Sequence, residues 1–145
     1  MRLTETFPKE KNMSPSLFPN QLVGDFTVTA VSDGYLSASL EFLSNIDPAE
    51  AANMQGAAGQ AAPDAVHINC YIVRSAHRSI LIDGGAGGVK QWGGRLRDNL
   101  LRAGIDAASI DTILLTHAHP DHVGGLVDAA GQRSFPNAEL VVHQG

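Results

Sequence analysis

The stretch His117-Ala118-His119-Pro120-Asp121-His122 constrains this chain more than any other. It packs three imidazoles and a carboxylate into less than two helical turns. It also follows directly on the apolar run Ile113-Leu114-Leu115, which reads as a buried strand. A fold for this chain must therefore carry a core strand straight into a polar loop and hold that loop's donors together. Neutral imidazole is the commonest protein ligand for zinc and related ions. Crowding such side chains without an ion is unfavourable in any buried setting.

The spacing suits a metal. In extended chain, residues 117 and 119 point to one side. Pro120 fixes the next backbone angle and lets the chain turn, so Asp121 and His122 come back toward the same volume. Gly124-Gly125 permit close backbone packing beside the ion. The donors are His and Asp only, whereas closed structural zinc sites are rich in cysteine. Three histidines leave a fourth position for water, and zinc lowers the pKa of that water to about 7. An aspartate inside the cluster suggests a second ion or a carboxylate that orients the ligands.

The remaining chain frames this motif. Its 145 residues suit one domain with a core of its own. Ten basic residues against 15 acidic ones give a net charge of −5, and no Lys/Arg cluster offers a footprint for nucleic acid. Arg95, Arg97 and Arg102 alternate with leucines and read as a solvated helix face. The single cysteine, Cys70, excludes an internal disulfide framework and reads as a small buried hydrophobe. There is no signal peptide pattern and no run of membrane-spanning length, so a cytoplasmic location is expected.

Along the chain, residues 1–21, with Pro8, Pro15 and Pro19, are expected to form an arm over the fold. Phe26 to Val31 reads as a strand, Asp33-Gly34 as a turn, and Tyr35 to Ala38 as the returning strand. Residues 47–64 are expected to hold one or two helical turns after Asp47-Pro48 and then a loop, either a binding lid or an insertion without a task. Val66 to Arg74 and Ser79 to Ile82 make a hairpin. Gly84 to Gly88 lacks the spacing of a phosphate-cradling loop and reads as a flexible turn. Arg95 to Ala103 is expected to be helical, with Gly104 as its C-cap. Asp111 to Thr116 and Glu139 to Val142 are strands, and Gly124 to Ala130 opens a short helix. Hairpins followed by strand–helix–strand make the class α+β. Asp83 reads equally as a strand-ending turn or as a support for the ligand loop. His67 and His77 lack ligand-spaced partners, and Trp92 reads as a packing residue.

With these motifs in hand, the chain resembles the metallo-β-lactamase fold hydrolases. His117-Ala118-His119-Pro120-Asp121-His122 is similar to their H-x-H-x-D-H signature, and Leu81-Ile82-Asp83-Gly84-Gly85 to their strand that closes with aspartate and glycine. His122-Val123-Gly124-Gly125-Leu126 resembles the usual continuation. The segment Gly24 to Gly34 resembles the branch that contains quorum-quenching lactonases and methyl parathion hydrolase-like enzymes. The resemblance implies an αββα sandwich, of which residues 22–145 would be the N-terminal part with the C-terminal part missing. It implies that His117, His119 and His122 bind one metal and Asp121 a second, with Asp83 steadying the ligand loop from behind. Asp121 would then be both ligand and catalytic residue. The implied cofactor is zinc, two ions in the complete enzyme, although His/Asp sites accept other divalent metals. The implied reaction is hydrolysis of a lactone or small ester by a metal-bound hydroxide.

The family's later ligands usually lie beyond position 145. His143, at the end of a predicted strand, reads as a structural or surface residue, and the chain is expected to be a truncated form. Its sheet would then expose an apolar face, which predicts homo-oligomeric association or poor solubility. The alternatives are a non-catalytic fragment holding at most one ion, a phosphotriester hydrolase of the same fold, and a nucleic-acid-processing relative, which the lack of basic surface disfavours.

Overall fold

The computed structural model describes residues 18–60, 62 and 64–144. Residues 1–17 of the expected N-terminal arm lie outside the described residues. Six strands form one mixed sheet in chain order: β1 (Asn20–Val23), β2 (Phe26–Ser37), β3 (Ala65–Arg74), β4 (Ser79–Ile82), β5 (Thr112–Leu114) and β6 (Glu139–Val141). The first four pair antiparallel; short turns join β1 to β2 and β3 to β4, while a long helical connection joins β2 to β3. The next two pairings are parallel. A parallel pairing needs a crossover, and α2 (Leu96–Arg102) supplies it between β4 and β5. The α+β expectation is borne out.

Alternation decides which side of the sheet is buried. Val31, Cys70, Ile72, Leu81 and Ile113 point to one face, where Leu96 and Leu100 of α2 cover them together with Ile105, Ile110 and Phe135. Each large aliphatic side chain sealed here contributes roughly 1.5–3 kcal/mol. Gly104 ends α2 with φ 74°, as expected of a C-cap glycine. The opposite face carries the row Ala30, Tyr71, Ile82, Leu114 and Val141, which are successive cross-strand partners. Tyr71, Leu114 and Val141 each keep 41% of their surface exposed, so this apolar row is open.

Four sequence-based expectations are corrected. Asp33-Gly34 is not a turn: β2 runs unbroken from Phe26 to Ser37, with a register shift between Ser32 and Gly34. β3 is long enough to pair with the whole of β2. The shift leaves Asp33 unpaired as a bulge, with Gly34 after it at φ 117°, instead of reversing the chain. Helix α1 (Pro48–Ala57) has ten residues, nearly three turns, because Asp47 caps it at Ala49 N–H (2.8 Å) with Pro48 next in line. The Gly84 to Gly88 segment is not simply a flexible turn, since Gly84, Gly85 and Ala86 are buried and hydrogen-bonded. The last helix, α3 (Pro120–Val123), starts inside the histidine motif and not at Gly124. Proline at a first helical position is pre-set for that conformation. A short 3-10 turn, Gly124–Leu126, continues from it.

Candidate metal centre

Three short connections meet at one end of β4 and β5. They are the loop after β4, the segment that leaves β5, and α3 with its glycines. Asp83, directly after β4, has φ 63°, a left-handed conformation that aspartate tolerates better than most residues. Its main-chain N–H donates to Leu114 O (3.0 Å), and its carboxylate is buried against the β5 exit. There Oδ1 accepts the Thr116 N–H at 2.9 Å. The Thr116 hydroxyl donates to the same carboxylate, 2.8 Å from Oδ2. His122 Nδ1 lies 2.8 Å from Oδ2. His117 Nδ1 lies 3.0 Å from the Thr116 hydroxyl, so Asp83 reaches this second imidazole through Thr116.

This arrangement assigns the ring nitrogens. With Nδ1 of His117 and His122 engaged on the inner side, Nε2 of each is the nitrogen left for a metal. An inner carboxylate that fixes tautomer and ring orientation is the usual support of a ligating histidine. The structure brings the three imidazoles together. The His117 and His122 ring centroids are 3.8 Å apart, and those of His117 and His119 are 4.7 Å apart, edge to face. The rings pack on one another, however. Among the described residues no three His, Cys, Asp or Glu side chains are arranged to hold an ion.

The donor set nevertheless fits a divalent metal pairwise. Asp121 Oδ2 lies 3.3 Å from His122 Nε2. Two donors bound about 2.0–2.1 Å from one tetrahedral zinc ion stand roughly 3.3 Å apart, the same separation. The main chain holds this pair in place. Gly84 N–H donates to His122 O (2.8 Å), and Gly125 N–H to Gly85 O (3.0 Å). A Cβ on Gly124 would strike Ala86 O, and one on Gly125 would strike Gly84 O. Here the glycines of both loops meet backbone to backbone, as the close-packing argument for Gly124-Gly125 requires.

A cleft of about 360 Å³ opens beside His117, lined by Leu115, Thr116, His117, Ala118, Val142 and His143. His143 is exposed and stands on its rim, past the end of β6. His67 stacks on Tyr35 with ring centroids 4.3 Å apart and lies 3.3 Å from Ser32 Oγ, consistent with a hydrogen-bonded residue outside the site. Cys70 is fully buried, and burial, reinforced by the negative charges of Asp33 and Asp83, pushes its thiol pKa up. That leaves it inert at neutral pH.

Two residues escaped the sequence reading. Thr116 was treated only as the end of a strand, although its place between a buried strand and the first histidine was a usable signal. Asp33 was given to a turn. It is instead fully buried, and its carboxylate accepts main-chain amides from two other segments.

Comparison with known proteins points to one family. The family model of the metallo-beta-lactamase superfamily matches residues 63–142. The Beta-lactamase-like protein 2 homolog of Drosophila melanogaster is 48% identical over 65 residues, covering 45% of this chain and 21% of that protein. The atrochrysone carboxyl ACP thioesterase of Passalora fulva is 37% identical over 76 residues, covering 52% of this chain and 21% of that protein. Among solved structures, AidC, a dizinc quorum-quenching lactonase in complex with a product, N-hexnoyl-L-homoserine, matches with a TM-score of 0.72 and 31% identity. The hydrolase AbOPH matches with a TM-score of 0.74 and 32% identity. Each of these two matches covers 85% of this chain and 43% of the solved one. The chain thus spans about a fifth of the curated relatives and under half of the solved ones.

Proposed function

This chain belongs to the metallo-beta-lactamase superfamily, and from that premise we propose that it serves a metal-dependent hydrolase of lactones or small esters. The observation that carries the reading is the Asp121–His122 donor pair, 3.3 Å apart, on a segment tied to the buried Asp83. Similarity to a dizinc lactonase supports both the metal and the substrate class, and similarity to a second hydrolase supports hydrolysis.

In this reading His117, His119, Asp121 and His122 hold divalent metal, zinc by preference and two ions in the complete enzyme. The short Asp121–His122 contact supports placing those two on one ion, with His117 and His119 on the other. This partition differs from the sequence-based expectation, which grouped His122 with the other histidines. When bound, such an ion lowers the pKa of a water toward neutrality and polarises an acyl or phosphoryl oxygen. The chain's own residues do the rest. Asp83 and Thr116 orient the rings, Asp121 supplies a carboxylate at the reacting side, and the cleft beside His117 admits a small substrate. Among the described residues no helix is long and apolar enough to cross a membrane.

The test is metal content and turnover of the purified chain, supplied with zinc or cobalt and never exposed to chelator. Metal should be present, should fall in amount per chain in His117→Ala and His119→Ala, and should support turnover of an acyl-homoserine lactone in preference to paraoxon. A chain that carries no metal overturns the reading, and preference for paraoxon moves it to phosphotriesters. A second reading is favoured by the open apolar row Tyr71, Ile82, Leu114 and Val141. In it the 145-residue chain binds at most one ion, lacks turnover and associates through that face.

A further inference from the structure

Asp33 is as buried as any residue in the molecule, although it carries a carboxylate. Its partners are main-chain amides from two distant segments. Oδ2 accepts the Ala86 N–H at 2.8 Å and the Gly87 N–H at 3.4 Å. Oδ1 accepts the Leu96 N–H at 2.8 Å, and its main-chain carbonyl accepts the Arg95 N–H at 3.0 Å. Gly85 and Gly93, both at positive φ, leave the slot this carboxylate fills, and a Cβ on Gly85 would come within 2.6 Å of Asp33 Cγ. Burying a carboxylate is costly unless its oxygens are satisfied, so the cluster holds together only while these amides stay in place.

The same glycine loop grips the metal segment on its other side. Gly84 N–H donates to His122 O, and Gly85 O accepts the Gly125 N–H. Two buried carboxylates therefore act on one short segment from two directions. Asp83 holds the His122 side chain, while Asp33 holds the loop that holds the backbone of His122 and Gly125. We propose that Asp33 is a positioning residue for the metal ligands, acting through the Gly84–Gly87 loop. The proposal deepens the metal-centre reading, and its consequence for metal affinity rests on that reading.

The experiment compares the full chain with Asp33→Asn and Asn99→Ala. The second variant removes another tie between β2 and α2, Asn99 Nδ2 to Ser32 O at 2.7 Å, and so controls for stability alone. Asp33→Asn keeps one acceptor oxygen but turns an NH2 donor toward the other of the Ala86 and Leu96 amides. Amide exchange should quicken at Gly84 and Gly125 in Asp33→Asn but not in Asn99→Ala. Cobalt affinity, followed by the absorbance of the bound ion, should fall about 10–100-fold in Asp33→Asn and stay within about twofold in Asn99→Ala. Unchanged exchange at Gly84 and Gly125, or an equal loss of cobalt affinity in both variants, overturns the proposal. If the unaltered chain takes up no cobalt, the metal reading fails and the exchange comparison still decides the role of Asp33. If Asp33→Asn does not fold, exchange in the unaltered chain decides. Ala86, Leu96, Gly84 and Gly125 should then open as one unit, and independent opening overturns the proposal.

Discussion

Asp83 Oδ2 sits 2.8 Å from His122 Nδ1, joining residues 39 apart in the chain. Removing that acceptor frees the ring and takes the partner from the hydroxyl and amide of Thr116. Asp83→Asn and Asp83→Ala should each weaken zinc or cobalt binding about 10–100-fold, measured by competition with a chromophoric chelator. The two variants should differ in stability. The φ of 63° suits Asn and strains Ala, so Ala should unfold at the lower temperature. Metal affinity equal to that of the unaltered chain would remove Asp83 from the site.

Gly125→Ala should destabilise the chain even though it removes no polar group. The added Cβ would meet Gly84 O, which is main chain and cannot swing aside. Overpacking of this kind costs about 1–3 kcal/mol, read as a fall in Tm of several degrees. Gly131→Ala is the control. A Cβ there meets nothing, although its φ of 75° carries a smaller backbone penalty of its own. Equal loss in the two variants would show that no close approach exists at Gly125.

Asp111 predicts an acid-sensitive step. Its carboxylate accepts the Thr112 hydroxyl (2.7 Å) and the Ser79 N–H (2.6 Å) and pairs with Arg78 at 3.3 Å. The Thr112 and Ser79 bonds, with Arg78 behind them, hold its pKa below the ordinary 3.8. The folded value is thus the lower one. The contribution to stability is complete above the unfolded pKa and is lost as pH falls through the folded value. Unfolding by urea should show stability falling below about pH 4. Asp111→Asn should flatten that dependence while Tm near neutrality falls modestly. An unchanged slope in the variant would defeat the assignment.

The open row Tyr71, Ile82, Leu114 and Val141 should make the chain associate. Sedimentation velocity should show species larger than a monomer that grow with concentration. Leu114→Lys should shift the distribution toward monomer without unfolding the chain, because the residue faces away from the core. A monomer at every concentration would rule out a sticky face.

Most strands were legible because their apolar and β-branched runs are local; β1 (Asn20–Val23), whose first two residues read as part of the N-terminal arm, was not. β3, β4 and α2 fall within a residue of their expected ends, and Asp47-Pro48 announced α1. What stayed hidden was decided at a distance. Asp33-Gly34 has turn chemistry, and only pairing with the full length of β3 turns it into a bulge. Gly84 to Gly88 looks slack in isolation, and only the approach of Gly124 and Gly125 tightens it. The histidine cluster was legible as a set of candidate donors, because imidazoles at that density are a local signal. The supports were legible in part. Asp83 stood out at the end of a strand, whereas Thr116 and Asp33 gain their roles from partners 33 and more than 50 residues away.

The backbone-to-backbone seam between Gly84-Gly85 and Gly124-Gly125 has an evolutionary corollary. A junction built without side chains offers mutation nothing to vary, so one flank of the candidate metal segment is frozen. Under the proposed function, diversification of substrate preference must then fall on the opposite rim, where the exposed Ala118, Val142 and His143 border open space. Libraries aimed at new specificity should begin with those three positions.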